Sequence, residues 1–158
     1  MKLSIKKGFS FGLTSGIITT LGMIVGLNSG THEKGVVIGG ILIIAIADSL
    51  SDAFGMHISE EAENENPHSE VWASTWATFI AKFVFALSFV IPIVLFDLTT
   101  AVIVSIIWGL SVITIVSNYL AMSQGKKAIK VISEHLCIAI VVIILTYFVG
   151  RYISHLFS

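Results

Sequence analysis

The sequence predicts an all-α, polytopic membrane protein whose five transmembrane helices form one helical bundle. Of its 158 residues, 55% are hydrophobic and 12% are charged, and the mean hydropathy of +0.94 lies far above that of water-soluble domains. A membrane-spanning helix needs about 20 mainly apolar residues. Five stretches meet this requirement, at about residues 8–28, 36–58, 77–96, 99–121 and 136–156. Because the connections are short, we expect one domain over residues 1–158. The long, non-alternating runs exclude a β-barrel.

The basic residues predict how the chain is oriented in the bilayer. With the amino terminus in the cytoplasm, six lysines lie on the cytoplasmic side, and Lys34 and Arg151 lie on the other. The six are Lys2, Lys6, Lys7, Lys126, Lys127 and Lys130. We therefore expect a multi-pass protein of the cell (inner) membrane. No basic stripe indicates binding to nucleic acid.

The first span presents one face of small residues. This face consists of Ser15, Thr19, Gly22 and Gly26. At about 100° per residue, these four fall within about 60° of one another. The spacing of Gly12 with Gly16, and of Gly22 with Gly26 and Gly30, allows two helix backbones to approach closely. Two interpretations remain open: the face serves helix packing alone, or its hydroxyls and carbonyls also line a pathway.

The second span carries a polar stripe on one face. The stripe consists of Asp48, Asp52, Met56, Ser59 and Glu63, all within about 80° of Asp48. A carboxylate at the centre of a membrane helix costs about 2.5–3.5 kcal/mol on insertion scales, so two of them indicate a function. Leu50, Phe54 and Ile58 point away from the stripe. His57 lies on the far side of the helix and is not expected to be a ligand.

An acidic loop, predicted over residues 59–70, follows the stripe. Pro67 should end any extension of the second helix at about residue 66. Glu60 and Glu63 are expected to collect cations at the cytoplasmic mouth of the pathway. The alternative is a solvated acidic loop with no binding role.

The third span contains the remaining lysine, Lys82, and a proline, Pro92, that predicts a kink. We expect Lys82 to extend to the cytoplasmic surface, with its apolar stem along the helix. The alternative is that Lys82 is a counter-ion for Asp48 or Asp52. The scattered hydroxyls of the fourth span are typical of helix packing, and the fifth span ends in an interfacial anchor.

The paired aspartates predict a site for a divalent cation. Two carboxylates at positions i and i+4 can bind one metal ion together, and their repulsion favours a bound proton when the metal is absent. This competition is the minimal chemistry of a metal–proton exchanger. The thioether of Met56 favours iron(II) over magnesium or calcium, while the oxygen ligands also suit manganese(II). Zinc and copper sites usually use His or Cys, which this face lacks.

No arrangement of residues indicates an enzyme. Asp48 and Asp52 share one helix, whereas an intramembrane aspartyl protease needs carboxylates on two facing helices. No serine has a positioned base, and no nucleotide-binding pattern occurs. We expect no permanently bound cofactor, with Fe2+ or Mn2+ as a transported substrate.

Four segments of the chain, taken in order, match the motifs of one family. They are Ser15-Gly16-Ile17-Ile18-Thr19 with Gly26-Leu27, Ser51-Asp52 with Gly55-Met56-His57, Ile91-Pro92-Ile93 with Phe96, and Thr146-Tyr147-Phe148-Val149-Gly150-Arg151. In these segments the chain resembles the vacuolar iron transporter (VIT) family. The resemblance implies five helices, exchange of divalent metal for protons, and a homodimer whose pathway follows the first two helices of both protomers.

The chain departs from the family in both of these helices. The family's first-helix Asp falls on Ser15, or on Phe11 in a shifted register, and its second-helix Met and Glu fall on Asp52 and Met56. The Glu-rich insert of eukaryotic members is reduced to the acidic loop. The resemblance thus implies a short, prokaryotic-type member in which Asp48 and Asp52 take over the task of the missing Asp.

The sequence as a whole predicts a carrier that exports or sequesters iron(II) or manganese(II) from the cytoplasm, in exchange for protons. The predicted ligands are Asp48, Asp52, Met56, Glu60 and Glu63, and the predicted pathway residues are Ser15, Thr19, Gly22, Gly26 and Ser59. Two alternatives remain open. One is a non-transporting assembly protein whose aspartates bind Lys82 or a partner's basic residue, and the other is a proton-coupled carrier of another solute.

Overall fold

The computed structural model describes residues 3–63 and 67–157. Within these residues the chain forms helices and no strand. The helices are α1 (Leu3–Thr31), α2 (Lys34–Ala62), α3 (His68–Ser88), α4 (Val90–Leu95), α5 (Leu98–Ser123) and α6 (Ala128–Phe157). Five units are long and apolar enough to cross a membrane: α1, α2, α3 together with α4, α5, and α6. The predicted all-α architecture of five transmembrane helices is therefore confirmed.

The helices extend beyond the predicted spans. Helix α2 continues to Ala62, and α3 begins at His68 rather than at about residue 77. The predicted boundaries of the acidic loop, 59–70, are therefore wrong at both ends. Ser59 belongs to the last turns of α2, and Glu70 lies in the first turn of α3, where a carboxylate is favoured by the helix dipole. Residues 64–66 of this loop lie outside the described residues.

Helix α1 forms the centre of the bundle. It packs against α2, α3, α5 and α6, and its apolar side chains, such as Ile17 and Ile24, are fully buried. The outer surfaces of the other helices expose large apolar side chains, as contact with lipid requires. Leu50, Phe54 and Ile58 are more than half exposed, at 54%, 64% and 52%. The prediction that these three point away from the polar stripe is confirmed.

Two rows of glycines bring other helices close to α1. Gly8, Gly12 and Gly16 face α3, whereas Gly22, Gly26 and Gly30 face α6. A Cβ atom added to Gly12 would lie closer than 3.0 Å to the backbone oxygen of Thr78, and one added to Gly22 would lie 2.7 Å from Val142. The predicted close approach of helix backbones is confirmed. The two rows, however, have different partners.

The third span is interrupted near Pro92, where the sequence predicted a kink. A proline at this position lacks the N–H that would bond to the carbonyl of Ser88, and its ring crowds that carbonyl. The helix is interrupted at Phe89, whose N–H instead donates to the carbonyl of Ala86 at 3.2 Å. The short helix α4 therefore continues the span after this interruption, and it ends at Leu95, before Asp97.

Asp97 caps the amino terminus of α5. Its carboxylate accepts a hydrogen bond from the backbone N–H of Thr100 at 3.0 Å, and this bond holds the pKa of Asp97 below its ordinary value of about 3.9. A carboxyl with a lowered pKa stabilises the fold above its ordinary pKa, and the contribution is lost as the pH falls through the lowered value.

We expect Asp97→Ala to lower the melting temperature at neutral pH, because the cap is lost. Asp97→Asn should retain most of the stability, since an Asn side chain also caps helices. The thermal melting of both variants in detergent measures this. The difference between Asp97→Ala and wild type should shrink below the Asp97 pKa; a constant difference would show that the ionised carboxylate contributes nothing.

Candidate functional site

The polar stripe of α2 faces α1 over several helical turns. The two helices run in opposite directions, so successive contacts move forward along α1 and back along α2. Lys7 meets Glu60, Ser15 meets Asp52, and Thr19 meets Asp48. The sequence predicted Ser15 and Thr19 to be pathway residues, and the structure brings both to the aspartates.

Asp48, Asp52 and Lys82 form one charged cluster. The Nζ atom of Lys82 lies 2.6 Å from Oδ2 of Asp48, contacts Oδ2 of Asp52, and lies 3.0 Å from the hydroxyl of Ser15. The Ser15 hydroxyl donates to Oδ2 of Asp52 at 2.7 Å. One ammonium group from α3 is thus shared by two carboxylates from α2. We call this group the Asp–Lys cluster.

The expectation that Lys82 reaches the membrane surface is wrong. Its side chain is 2% exposed, and its Nζ atom contacts both aspartates of α2. The side chain therefore points into the bundle. The missing side chain of Gly16 also leaves room for the Lys82 stem, whose Cγ atom would lie 3.0 Å from a Cβ at that position. Lys82 is therefore the counter-ion of the two aspartates.

Burial differs between the partners of the Asp–Lys cluster. The Lys82 side chain is 2% exposed, whereas those of Asp48 and Asp52 are 28% and 23% exposed. With every group ionised, the cluster carries a charge of −1, because two carboxylates face one ammonium. An uncompensated charge at this depth is costly. One bound proton, or one additional positive charge, makes the cluster neutral.

A second cluster, also of two carboxylates and one lysine, lies nearer the carboxyl-terminal end of α2. Lys7 lies 2.6 Å from Glu60 and 2.9 Å from Glu63. The Glu60 side chain is 2% exposed, and that of Glu63 is 51% exposed. At 1.5 Å per residue, Glu60 lies about 12 Å along α2 from Asp52. Glu60 and Glu63 thus lie together, as predicted, but both contact a lysine that the sequence did not suggest.

The other predicted site residues have different surroundings. Met56 is buried on α2, one turn from Asp52 and one turn from Glu60, whereas Ser59 is exposed. Gly22 and Gly26 pack against Thr146 of α6 and do not join the aspartates. Helix α6 covers this end of the small-residue face, and the predicted role of Gly22 and Gly26 in lining a pathway stays a prediction.

His57 is held outside the site. Its Nδ1 atom lies 3.0 Å from the hydroxyl of Thr75, and its ring packs edge-on against Trp72 with 4.7 Å between centroids. The Thr75 hydroxyl donates to the carbonyl of Val71, so it accepts from the His57 ring. His57 has a structural partner, in agreement with its exclusion from the ligands.

A groove of about 470 Å³ runs beside the Asp–Lys cluster, between α1 and the α5–α6 pair. Ser15 and Thr19 connect the groove to the Asp–Lys cluster, because they line the groove and hydrogen-bond to the aspartates. His135 also lines the groove, and its Nδ1 atom lies 2.7 Å from the buried hydroxyl of Ser117. The sequence did not indicate His135 as a site residue, because His135 lies in α6, far along the chain from the α1 residues that line the same groove.

The residues that could hold a metal within one chain are few. Among residues 3–63 and 67–157, no three His, Cys, Asp or Glu side chains converge so that one ion could bind them all. Asp48 and Asp52 offer two carboxylates, and Lys82 contacts both of them.

Comparison of the chain with models of known protein families, with curated proteins and with solved structures finds no match. The resemblance to the VIT family therefore stays a prediction.

Proposed function

We propose that this protein is a membrane carrier that exchanges a divalent cation, iron(II) or manganese(II), for protons at the Asp–Lys cluster. The observation that carries the proposal is the enclosed ammonium of Lys82 between two partly exposed carboxylates. An ammonium group at this position does what a bound cation would do, because it neutralises carboxylates at membrane depth. We infer that Lys82 and the transported cation bind the same pair of carboxylates in turn.

Charge balance allows two stoichiometries for this exchange. The empty site is neutral with one protonated carboxyl, one carboxylate and the Lys82 ammonium. The site with a divalent cation is neutral when both carboxylates are ionised and Lys82 has lost its proton. One metal ion would then replace two protons. If the ammonium withdraws from the site without losing its proton, one metal ion replaces one proton and the charged lysine.

Hydroxyl groups of α1 support both aspartates of the cluster. The Thr19 hydroxyl, whose oxygen also lies 2.9 Å from the carbonyl of Ser15, is a donor to Oδ2 of Asp48 at 3.0 Å. The Ser15 hydroxyl accepts from Lys82 and donates to Oδ2 of Asp52. Each aspartate is thus held by one hydroxyl of α1, in the orientation that a cation site would use.

The choice of metal rests on Met56 and on a second copy of the chain. Met56 would supply a soft thioether one turn from Asp52, which suits iron(II), and the carboxylates also suit manganese(II). Two carboxylates and one thioether are fewer ligands than such ions take. A homodimer with its α1–α2 faces together would supply four aspartates and two methionines. In the cell membrane, with the amino terminus in the cytoplasm, Glu60 and Glu63 would collect cations at the entrance.

A non-transporting assembly protein is the second candidate function. Two observations favour it: Lys82 already pairs with both aspartates, and three potential metal-binding side chains do not converge within the described part of the chain. In that case the Asp–Lys cluster joins α2 to α3 and has no other role. A proton-coupled carrier of another solute would keep the proton chemistry of the cluster without binding metal.

Flux measurements in proteoliposomes test the proposal. We expect Asp48→Asn combined with Asp52→Asn to abolish iron(II) and manganese(II) flux, together with the metal-driven proton movement reported by an internal pH dye. Glu33→Gln combined with Glu61→Gln removes the same number of carboxylates at exposed positions and should leave both signals unchanged. Metal should also raise the melting temperature of the wild type by mass action, but not that of the Asp48→Asn/Asp52→Asn variant.

Unchanged flux in the aspartate variant would overturn the proposal. A wild type that neither moves nor is stabilised by any divalent metal would do the same. If the aspartate variant also loses its dimeric state, the assembly function is favoured. Proton movement driven by a solute other than metal would favour the third candidate.

A further inference from the structure

A second, basic cavity opens where α5 is joined to α6. It has a volume of about 420 Å³ and is lined by Lys126, Lys127 and Lys130, together with Glu134. Lys130 lies 4.0 Å from Glu134, so the one carboxylate offsets one of the three lysines. With His135 neutral, the lining carries a charge of +2. This cavity attracts anions, unlike the Asp–Lys cluster.

The basic cavity and the groove beside α1 adjoin each other. Leu120 and His135 line both of them. From these shared residues the groove continues between apolar walls that include Phe11, Ile18 and Ile138. A positively charged entrance thus leads into an apolar trough on the membrane-facing part of the bundle.

The two parts together match an amphiphile with an anionic head. A free phosphate ion would use the lysines but not the apolar walls, and an uncharged acyl chain would use the walls but not the lysines. Basic pockets between transmembrane helices bind anionic lipid headgroups, and each lysine near the membrane surface contributes to that attraction. We propose that an anionic phospholipid binds here, with its phosphate among the three lysines and one acyl chain along the groove.

The bound lipid would cover part of α1. Because Ser15 and Thr19 line the groove, an acyl chain lying there would pass over the hydroxyls that bond to Asp52 and Asp48. The lipid site stands independently of metal transport, since it rests on the α5–α6 lysines and the apolar walls alone.

Native mass spectrometry and thermal melting of the purified protein in detergent test this site. The probes are dioleoyl phosphatidylglycerol, dioleoyl phosphatidylcholine and inorganic phosphate. We expect phosphatidylglycerol to stay bound and to raise the melting temperature, with little effect of the other two. Lys126→Gln, Lys127→Gln and Lys130→Gln should each weaken phosphatidylglycerol binding roughly five-fold. Ile138→Trp, which fills the trough, should weaken it without changing any charge.

Arg151→Gln is the matched control, because it removes one positive charge from the other end of α6 and should leave lipid binding unchanged. Equal stabilisation by phosphatidylcholine would overturn the proposal, since the lysines would then play no part. Equal protection by inorganic phosphate would also overturn it and would indicate a site for a free anion. Because the wild-type comparison of the three probes needs no variant, a poorly folding variant does not remove the test.

Discussion

Replacing Lys82 with methionine is expected to lower the free energy of unfolding by about 3 kcal/mol. Methionine fills a similar volume but leaves Asp48 and Asp52 facing each other without their shared ammonium. Removing one partner of a buried ion pair costs about 3–5 kcal/mol. We expect the lower end of this range, because the side chains of Asp48 and Asp52 are 28% and 23% exposed, so neither carboxylate is fully enclosed by the protein. Chemical or thermal unfolding in detergent measures the loss.

Further substitutions show whether the stability lost in Lys82→Met is due to the lost charge or to lost packing. In Lys82→Met combined with Asp48→Asn and Asp52→Asn, no carboxylate is left without its cation, so most of the lost stability should return. Arg151→Met removes a positive charge from an exposed position and should change stability by about 0.5 kcal/mol or less. If Lys82→Met is as stable as the wild type, the ion pairs of Lys82 do not stabilise the folded protein. If the two Asn substitutions restore nothing, the loss of stability is one of packing.

The Lys82→Met variant also bears on the proposed exchange. If Lys82 and metal bind the aspartates in turn, removing the lysine should increase metal affinity, while the coupling of metal to protons is weakened. Titration of the variant with manganese(II), followed by the melting temperature, would show this as a larger stabilisation than in the wild type. A smaller stabilisation would mean that Lys82 helps to organise the metal site and does not compete for it.

Gly12→Ala is expected to destabilise the protein by about 1–3 kcal/mol, the usual range for forcing an extra group into a packed interior. The added Cβ atom would lie closer than 3.0 Å to the backbone oxygen of Thr78, and a helix backbone cannot yield as a side chain can. Helices α1 and α3 must therefore separate. Since Gly16 faces Lys82 one turn further along, the separation should also disturb the Asp–Lys cluster.

The matched control for Gly12→Ala is Gly39→Ala in α2. A Cβ atom at Gly39 would meet nothing within 4 Å, so the substitution adds no overlap. Alanine is favoured over glycine inside a helix by about 0.5–1 kcal/mol, so Gly39→Ala should be neutral or stabilising. Thermal melting of both variants gives the comparison. Equal melting temperatures for the two would contradict the close α1–α3 packing.

Much of the fold could be predicted because membrane helices obey simple local rules. The apolar stretches identified five spans, since every spanning segment must satisfy its own backbone hydrogen bonds. Pro92 marked the break in the third span, and the glycine spacing of α1 marked its close contacts. The helix ends were less accurate. The amphipathic first turns of α3 and the last turns of α2 are too polar to be recognised from hydropathy.

The candidate site could be predicted only in part. The 3.6-residue period of one helix predicts that Asp48 and Asp52 lie on the same face of α2. The same period does not predict which residues of other helices contact that face. Whether Lys82 reaches water or pairs with the aspartates depends on the packing of α3 against α2 and on the space beside Gly16, both of which involve residues far apart in the chain.

The sequence by itself determined the membrane class, the five spans, the interruption near Pro92 and the presence of two carboxylates on one face of α2. Each of these follows from composition or from spacing within one helix. Only the tertiary structure decided that Lys82 pairs with those carboxylates, that Lys7 pairs with Glu60 and Glu63, and that α6 covers Gly22 and Gly26. The reason is physical: a charge buried in a bilayer takes its partner from whichever helix the packing brings close, and that choice is not encoded in the spacing of either helix alone.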